Sequence, residues 1–101
     1  MNTYKAGNEI EKEAYKRLVA QHYWVEKTRR AKFQPQDFFY CWDFIAVNQK
    51  HIRFIQVSGK PFNQRPRADK ERMLAFPKPV SCIKEYWYWD GQNERFEIQT
   101  L

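Results

Sequence analysis

Residues 41–47 read CWDFIAV and residues 53–61 read RFIQVSGKP, two apolar runs separated by little more than the polar stretch NQKH. Runs this short, rich in aromatic and β-branched residues, predict strands. If Val47 pairs with Ile52 across that polar stretch, an antiparallel hairpin results. Pairing Val47 with Ile52 sets the register, and a turn of two or of four residues gives the same one. Asp43 then lies opposite Gln56, and Cys41 opposite Ser58. Alternation puts Ile45, Asp43 and Cys41 on one face with Phe54, Gln56 and Ser58. Directly opposed residues have Cβ atoms roughly 4.5–5.5 Å apart, so the polar side chains of the two strands are expected to meet.

The other segments read more simply. KAGNEIEKEAYKRLVA repeats Ala6, Ile10, Ala14 and Leu18 at spacing four among strong helix formers, which predicts a helix. HYWVEKTRR reads as a short strand and KFQPQDFF as a loop. FNQRPRADKERMLAF predicts a loop and then a helix of about ten residues, with Asp69 and Glu71 near its start. CIKEYWYW, a turn at Asp90-Gly91, and RFEIQTL predict two final strands. The order α-β-β-β-α-β-β over residues 1–101 predicts a single α/β domain, and 101 residues are too few for two ordinary ones.

Composition narrows the function classes. Eighteen Lys and Arg against twelve Asp and Glu give a net charge of +6, which suits a polyanionic partner such as nucleic acid. No apolar run approaches membrane-spanning length, and the N-terminal residues lack the pattern of a signal peptide. Cys41 and Cys82 form no CxxC pair, so two free thiols in a cytoplasmic protein are expected.

An ionised aspartate on an apolar strand needs a partner. Asp43, the side-chain carbonyl of Gln56 and the main-chain carbonyl of Val57 are hard oxygen donors of the kind Mg²⁺ accepts. The competing reading is a strand-end aspartate that bonds Gln56 and a backbone amide.

Four motifs occur in order. Gly7, Glu11, Ala14 and Leu18 form a G-x-x-x-E helix with apolar residues further on. A strand and basic loop, WVEKTRR, follow. Asp43 leads into Phe-Ile-Ala-Val, and Gln56-Val57-Ser58 lies within FIQVSGK. This pattern resembles the PD-(D/E)XK nuclease superfamily, most closely its archaeal-type Holliday junction resolvases. The resemblance covers roughly the first sixty residues and, beyond them, only the order of elements.

The resemblance implies a restriction-endonuclease-like mixed β-sheet flanked by helices. It also implies a metal-dependent endonuclease of DNA recombination and repair, with Glu11, Asp43 and Gln56 around Mg²⁺ or Mn²⁺. The related resolvases act as twofold dimers on branched DNA, so a homodimer is expected. Glutamine in place of the second acid occurs within that branch. Ser58 departs further, because the family's lysine stands there to position or deprotonate the attacking water. Lys60 would take its role if the strand continued past Gly59, and Lys27 is another stand-in.

Lys27, Arg29, Arg30, Lys32, Arg65, Arg67, Lys70 and Arg72 are the expected DNA-gripping residues, and Thr28 matches a hydroxyl of the family's basic loop. Tyr86-Trp87-Tyr88-Trp89 alternates two faces, which fits a strand covered on both sides or buried in an interface better than a base-stacking platform. Ser58 also supports a rival function, a nuclease-like domain that binds DNA without cutting it. A structural subunit that borrows only the fold is the third reading.

Overall fold

The computed structural model describes residues 5, 7–28 and 37–101. Helix α1 (Gly7–Ala20) leads into strands β1 (Trp24–Lys27), β2 (Phe44–Val47) and β3 (Ile52–Ser58). A 3₁₀ turn (Phe62–Gln64), helix α2 (Arg67–Ala75) and strands β4 (Cys82–Asp90) and β5 (Arg95–Thr100) follow. The five strands form one mixed sheet in the order β1-β2-β3-β4-β5. This is the expected α/β class and order.

The β2–β3 hairpin has the expected register, from Val47 opposite Ile52 to Phe44 opposite Ile55. Its turn has neither Gly nor Pro because Asn48 does their work. The Asn48 Oδ1 accepts the N–H groups of Lys50 (2.9 Å) and His51 (2.8 Å), an Asx-type closure. β3 and β4 run parallel, Ile52 beside Cys82 through Ser58 beside Tyr88, and α2 lies on the crossover that parallel pairing demands. The remaining pairs, β1–β2 and β4–β5, are antiparallel.

One expectation fails at the start of β2. The ladder begins at Phe44, not Cys41, so neither Asp43 stands opposite Gln56 nor Cys41 opposite Ser58 in a paired strand. Residues 38–42 turn back on themselves instead. Phe38 and Trp42 form an isolated bridge, Phe39 and Tyr40 take positive φ angles of 55° and 61°, and the Phe38 carbonyl accepts the Cys41 and Trp42 N–H groups. The turn buries Trp42 completely against Phe54 and Phe76, which hydrophobic burial rewards more than one extra strand pair would.

The sheet is covered on both faces. On one, Ile10, Ala14 and Leu18 of α1 pack on Phe44, Ala46, Ile55, Val57, Trp87, Trp89 and Phe96. On the other, Met73 of α2 packs with Cys41, Trp42 and Tyr86. Trp87 and Trp89 therefore face α1 while Tyr86 and Tyr88 face the α2 side, and the aromatic run is core.

α2 itself is weakly specified, since only Met73 is buried and no side chain caps its N-terminus. Its end is held from outside. The buried Lys84 of β4 donates to the carbonyls of Met73 (2.9 Å), Leu74 (2.9 Å) and Phe76 (2.8 Å), the last-turn groups a helix leaves without partners. Pro77 then prevents continuation. Burial lowers the pKa of Lys84. A second buried charge, Arg53 on the α1 face, is paired with Glu85 through its Nε at 2.9 Å and through Nη2, while Trp87 Nε1 donates to the same carboxylate oxygen at 3.1 Å. Cys41 and Cys82 are both free thiols. Among the described residues, no helix is long and apolar enough to cross a membrane.

Candidate functional site

Where β2 turns away from β3, Val57 loses its strand neighbour on that side. Two side chains take over its backbone groups. The Asp43 Oδ2 accepts the Val57 N–H at 2.9 Å, and the Gln56 Nε2 donates to the Val57 carbonyl at 3.3 Å. Both are buried, Asp43 at 5% and Gln56 at 6% exposure. The Asp43 backbone is fixed as well, its N–H on the Ile55 carbonyl (2.8 Å) and its carbonyl on the Thr28 N–H (3.1 Å). Thr28 thus sits beside Asp43 through its main chain.

Asp43 is electrostatically unusual. Burial pushes its pKa up to about 8; the Val57 N–H opposes that shift, while the Asp37 and Glu11 carboxylates and the hydrogen bond that protonated Asp43 donates to Asp37 reinforce it. Asp37, from the segment before the 38–42 turn, bonds Asp43, and Glu11 of α1 acts on it through charge alone. Glu11 and Asp43 were anticipated from their motifs. Asp37 was not, because nothing local in QPQDFF fixes the path of that loop; its only sequence signal is a second acid six residues before Asp43.

Carboxyl, amide and main-chain carbonyl oxygens are the hard donors that Mg²⁺ or Mn²⁺ accepts. Their geometry is looser than a closed shell: among the described residues, no group of three or more His, Cys, Asp or Glu side chains is placed to hold a metal ion. The Val57 carbonyl, expected as a ligand, accepts the Gln56 amide, although a carbonyl keeps a second lone pair.

Ser58 ends β3. Its Oγ accepts the Lys60 N–H at 3.0 Å and the Arg65 Nη1 at 3.5 Å, and the Tyr86 hydroxyl donates to the Lys60 carbonyl at 2.6 Å. The strand consequently does not continue through Gly59 to carry Lys60 along the same face. The Lys60 side chain is exposed and lines a groove of about 460 Å³ at the end of the sheet, together with Ser58 and Arg65. Asp43, Gln56 and Glu11 are not among the residues lining it. The structure thus separates an acidic pocket from a basic groove, joined through the adjacent residues Ile10 and Glu11 of α1 and through Val57 and Ser58 of β3.

The expected DNA-gripping residues divide. Lys27 is exposed on β1, an edge strand of the sheet. Along α2 much of the positive charge is compensated locally: Arg65 pairs with Asp69 (3.2 Å), Arg67 with Glu71 (2.7 Å) and Arg72 with Asp69 (3.5 Å). Arg72 also donates to the Tyr40 carbonyl, and Lys70 Nζ to the Asn63 carbonyl at 3.4 Å. Arg29, Arg30 and Lys32 lie outside the described residues.

No protein-family model, curated protein or solved structure matches the chain.

Proposed function

We propose that the chain is a metal-dependent nucleic-acid endonuclease with a restriction-endonuclease-like fold, acting on branched DNA as a homodimer in the manner of junction resolvases. The observation that carries the reading is Asp43, a buried carboxyl bonded to Asp37 and under the charge of Glu11. A divalent cation is the partner that would let this group ionise in that setting. The net charge of +6 is compatible with a polyanionic substrate.

In this reading Asp43 and Asp37 would hold the ion, with the Gln56 carbonyl oxygen as a neutral ligand, and Glu11 would add negative charge from α1. Such an ion would polarise a phosphoryl oxygen and lower the pKa of a bound water. The chain's own residues would position the substrate: Lys60 and Arg65, which line the neighbouring basic groove, would hold its phosphates, with Lys27 and Thr28 near Asp43. Ser58 is neutral, is no general base, and is occupied in holding the bend at Gly59.

That last observation favours a second reading, a domain that binds DNA without cutting it. Incubating the protein with labelled four-way junction and matched linear duplex, in Mg²⁺, Mn²⁺ or EDTA and beside Asp43→Asn, separates the two. Metal-dependent cuts that vanish in the variant are the expected result. Binding without cleavage in either metal selects the second reading, and no binding to either DNA defeats both.

A further inference from the structure

The basic groove has a chemistry of its own. It is walled by Lys5, Ile10, Ser58, Lys60, Arg65 and Asp69 and opens where α1 begins at Gly7. Three cations face one carboxylate, and that carboxylate is already shared between Arg65 and Arg72. The Lys60 ammonium makes no hydrogen bond or ion pair among the described residues, and its backbone is pinned from both sides by Ser58 and Tyr86. The Arg65 guanidinium stacks 5.9 Å above the Tyr86 ring centroid, and its buried Nε has no hydrogen-bond partner. The groove lies at the C-terminal end of β3, bordered by Ser58 and Gly59.

We infer that this groove binds a phosphate ester, with Lys60 and Arg65 as its principal contacts, and that Lys60 grips substrate instead of replacing the missing lysine of the E/Q-x-K motif. The identity of the ester as a nucleic-acid phosphate rests on the function proposed above; the anion site does not. Lys5 is held 5.2 Å over the Trp89 ring and adds long-range attraction from the far wall.

Two measurements in EDTA test this without any cleavage. In the first, inorganic phosphate is titrated into ¹⁵N-labelled protein, and the Ser58, Gly59 and Lys60 amides are expected to shift saturably, an effect that Lys60→Gln weakens. In the second, binding of a fluorescent single-stranded oligonucleotide is followed across a salt series. Lys60→Gln should lower affinity several-fold and reduce the slope of log K against log salt by about 0.7, the loss of one phosphate contact. Lys50→Gln, at the opposite end of β3, should leave that slope unchanged. Amide shifts with phosphate but no oligonucleotide binding would keep the anion site and remove the nucleic-acid reading. Unmoved amides, or an unchanged salt slope in Lys60→Gln, would overturn the inference.

Discussion

Replacing Asp43 with asparagine should stabilise the protein, and by an amount that grows with pH. Asparagine keeps an oxygen for the Val57 N–H, and its amide can donate to Asp37, as the protonated carboxyl does. The folded pKa of Asp43 is about 8 against an ordinary 3.8, raised first by burial and then by its acidic neighbours. Between those values the folded protein holds a proton that the unfolded chain has released. Raising the pH through that window therefore draws the wild type toward unfolding, and below the lower value the effect is absent. Each pH unit in the window is worth about 1.4 kcal/mol, so the advantage of Asp43→Asn should widen by at most about 4 kcal/mol from pH 5 to pH 8. That is a large part of a typical domain stability of roughly 5–15 kcal/mol. Urea unfolding followed by tryptophan fluorescence, in EDTA at pH 5, 6, 7 and 8, measures it directly. Stability curves that stay parallel for wild type and variant would refute the electrostatic account of this pocket. Under the metal reading, Mn²⁺ at pH 8 should restore wild type relative to the variant.

Three further outcomes follow from the packing. Glu85→Ala should cost about 3–5 kcal/mol in chemical denaturation, because it strands the buried Arg53 guanidinium; a loss under 1 kcal/mol would mean that solvent reaches Arg53. Arg67→Ala should change stability by no more than about 0.5 kcal/mol, since its pair with Glu71 lies on the surface. Lys84→Met, which keeps the length of the side chain but removes its donors, should destabilise by about 2 kcal/mol and speed amide exchange in the last turn of α2, a site-specific readout that a general loosening would not give.

What the sequence made readable was whatever is decided locally. The spacing of Ile10, Ala14 and Leu18 gave α1, and the brevity of the link between Val47 and Ile52 gave both the hairpin and its register. The alternation of Tyr86 to Trp89 gave two buried faces, because side-chain direction in a strand needs no knowledge of the neighbours. The failures lie where distant parts decide. CWDFIAV has the composition of a strand throughout, yet its first residues turn to bury Trp42 between Phe54 and Phe76, an aromatic pocket assembled from three elements. Asp37 approaches Asp43 along that same turn, so its role was hidden with it. Lys60 was placed by extending β3, whereas Ser58 closes the strand with a bond to the very residue expected to continue it. Lys84, eleven residues past Met73, reads as an ordinary basic residue until β4 is laid against β3.

The dependence of α2 on Lys84 has a consequence for the order of events during folding. A nine-residue helix with one buried side chain and no capping side chain at its start has little stability of its own. Its closing carbonyls find their donor only when β4 has docked in parallel beside β3, a non-local pairing that forms slowly. On a ribosome, α2 would emerge well before the strand that completes it. The crossover and the two C-terminal strands should then settle as one cooperative unit, leaving the α1–β1–β2–β3 half to form first and wait with the other face of its sheet bare.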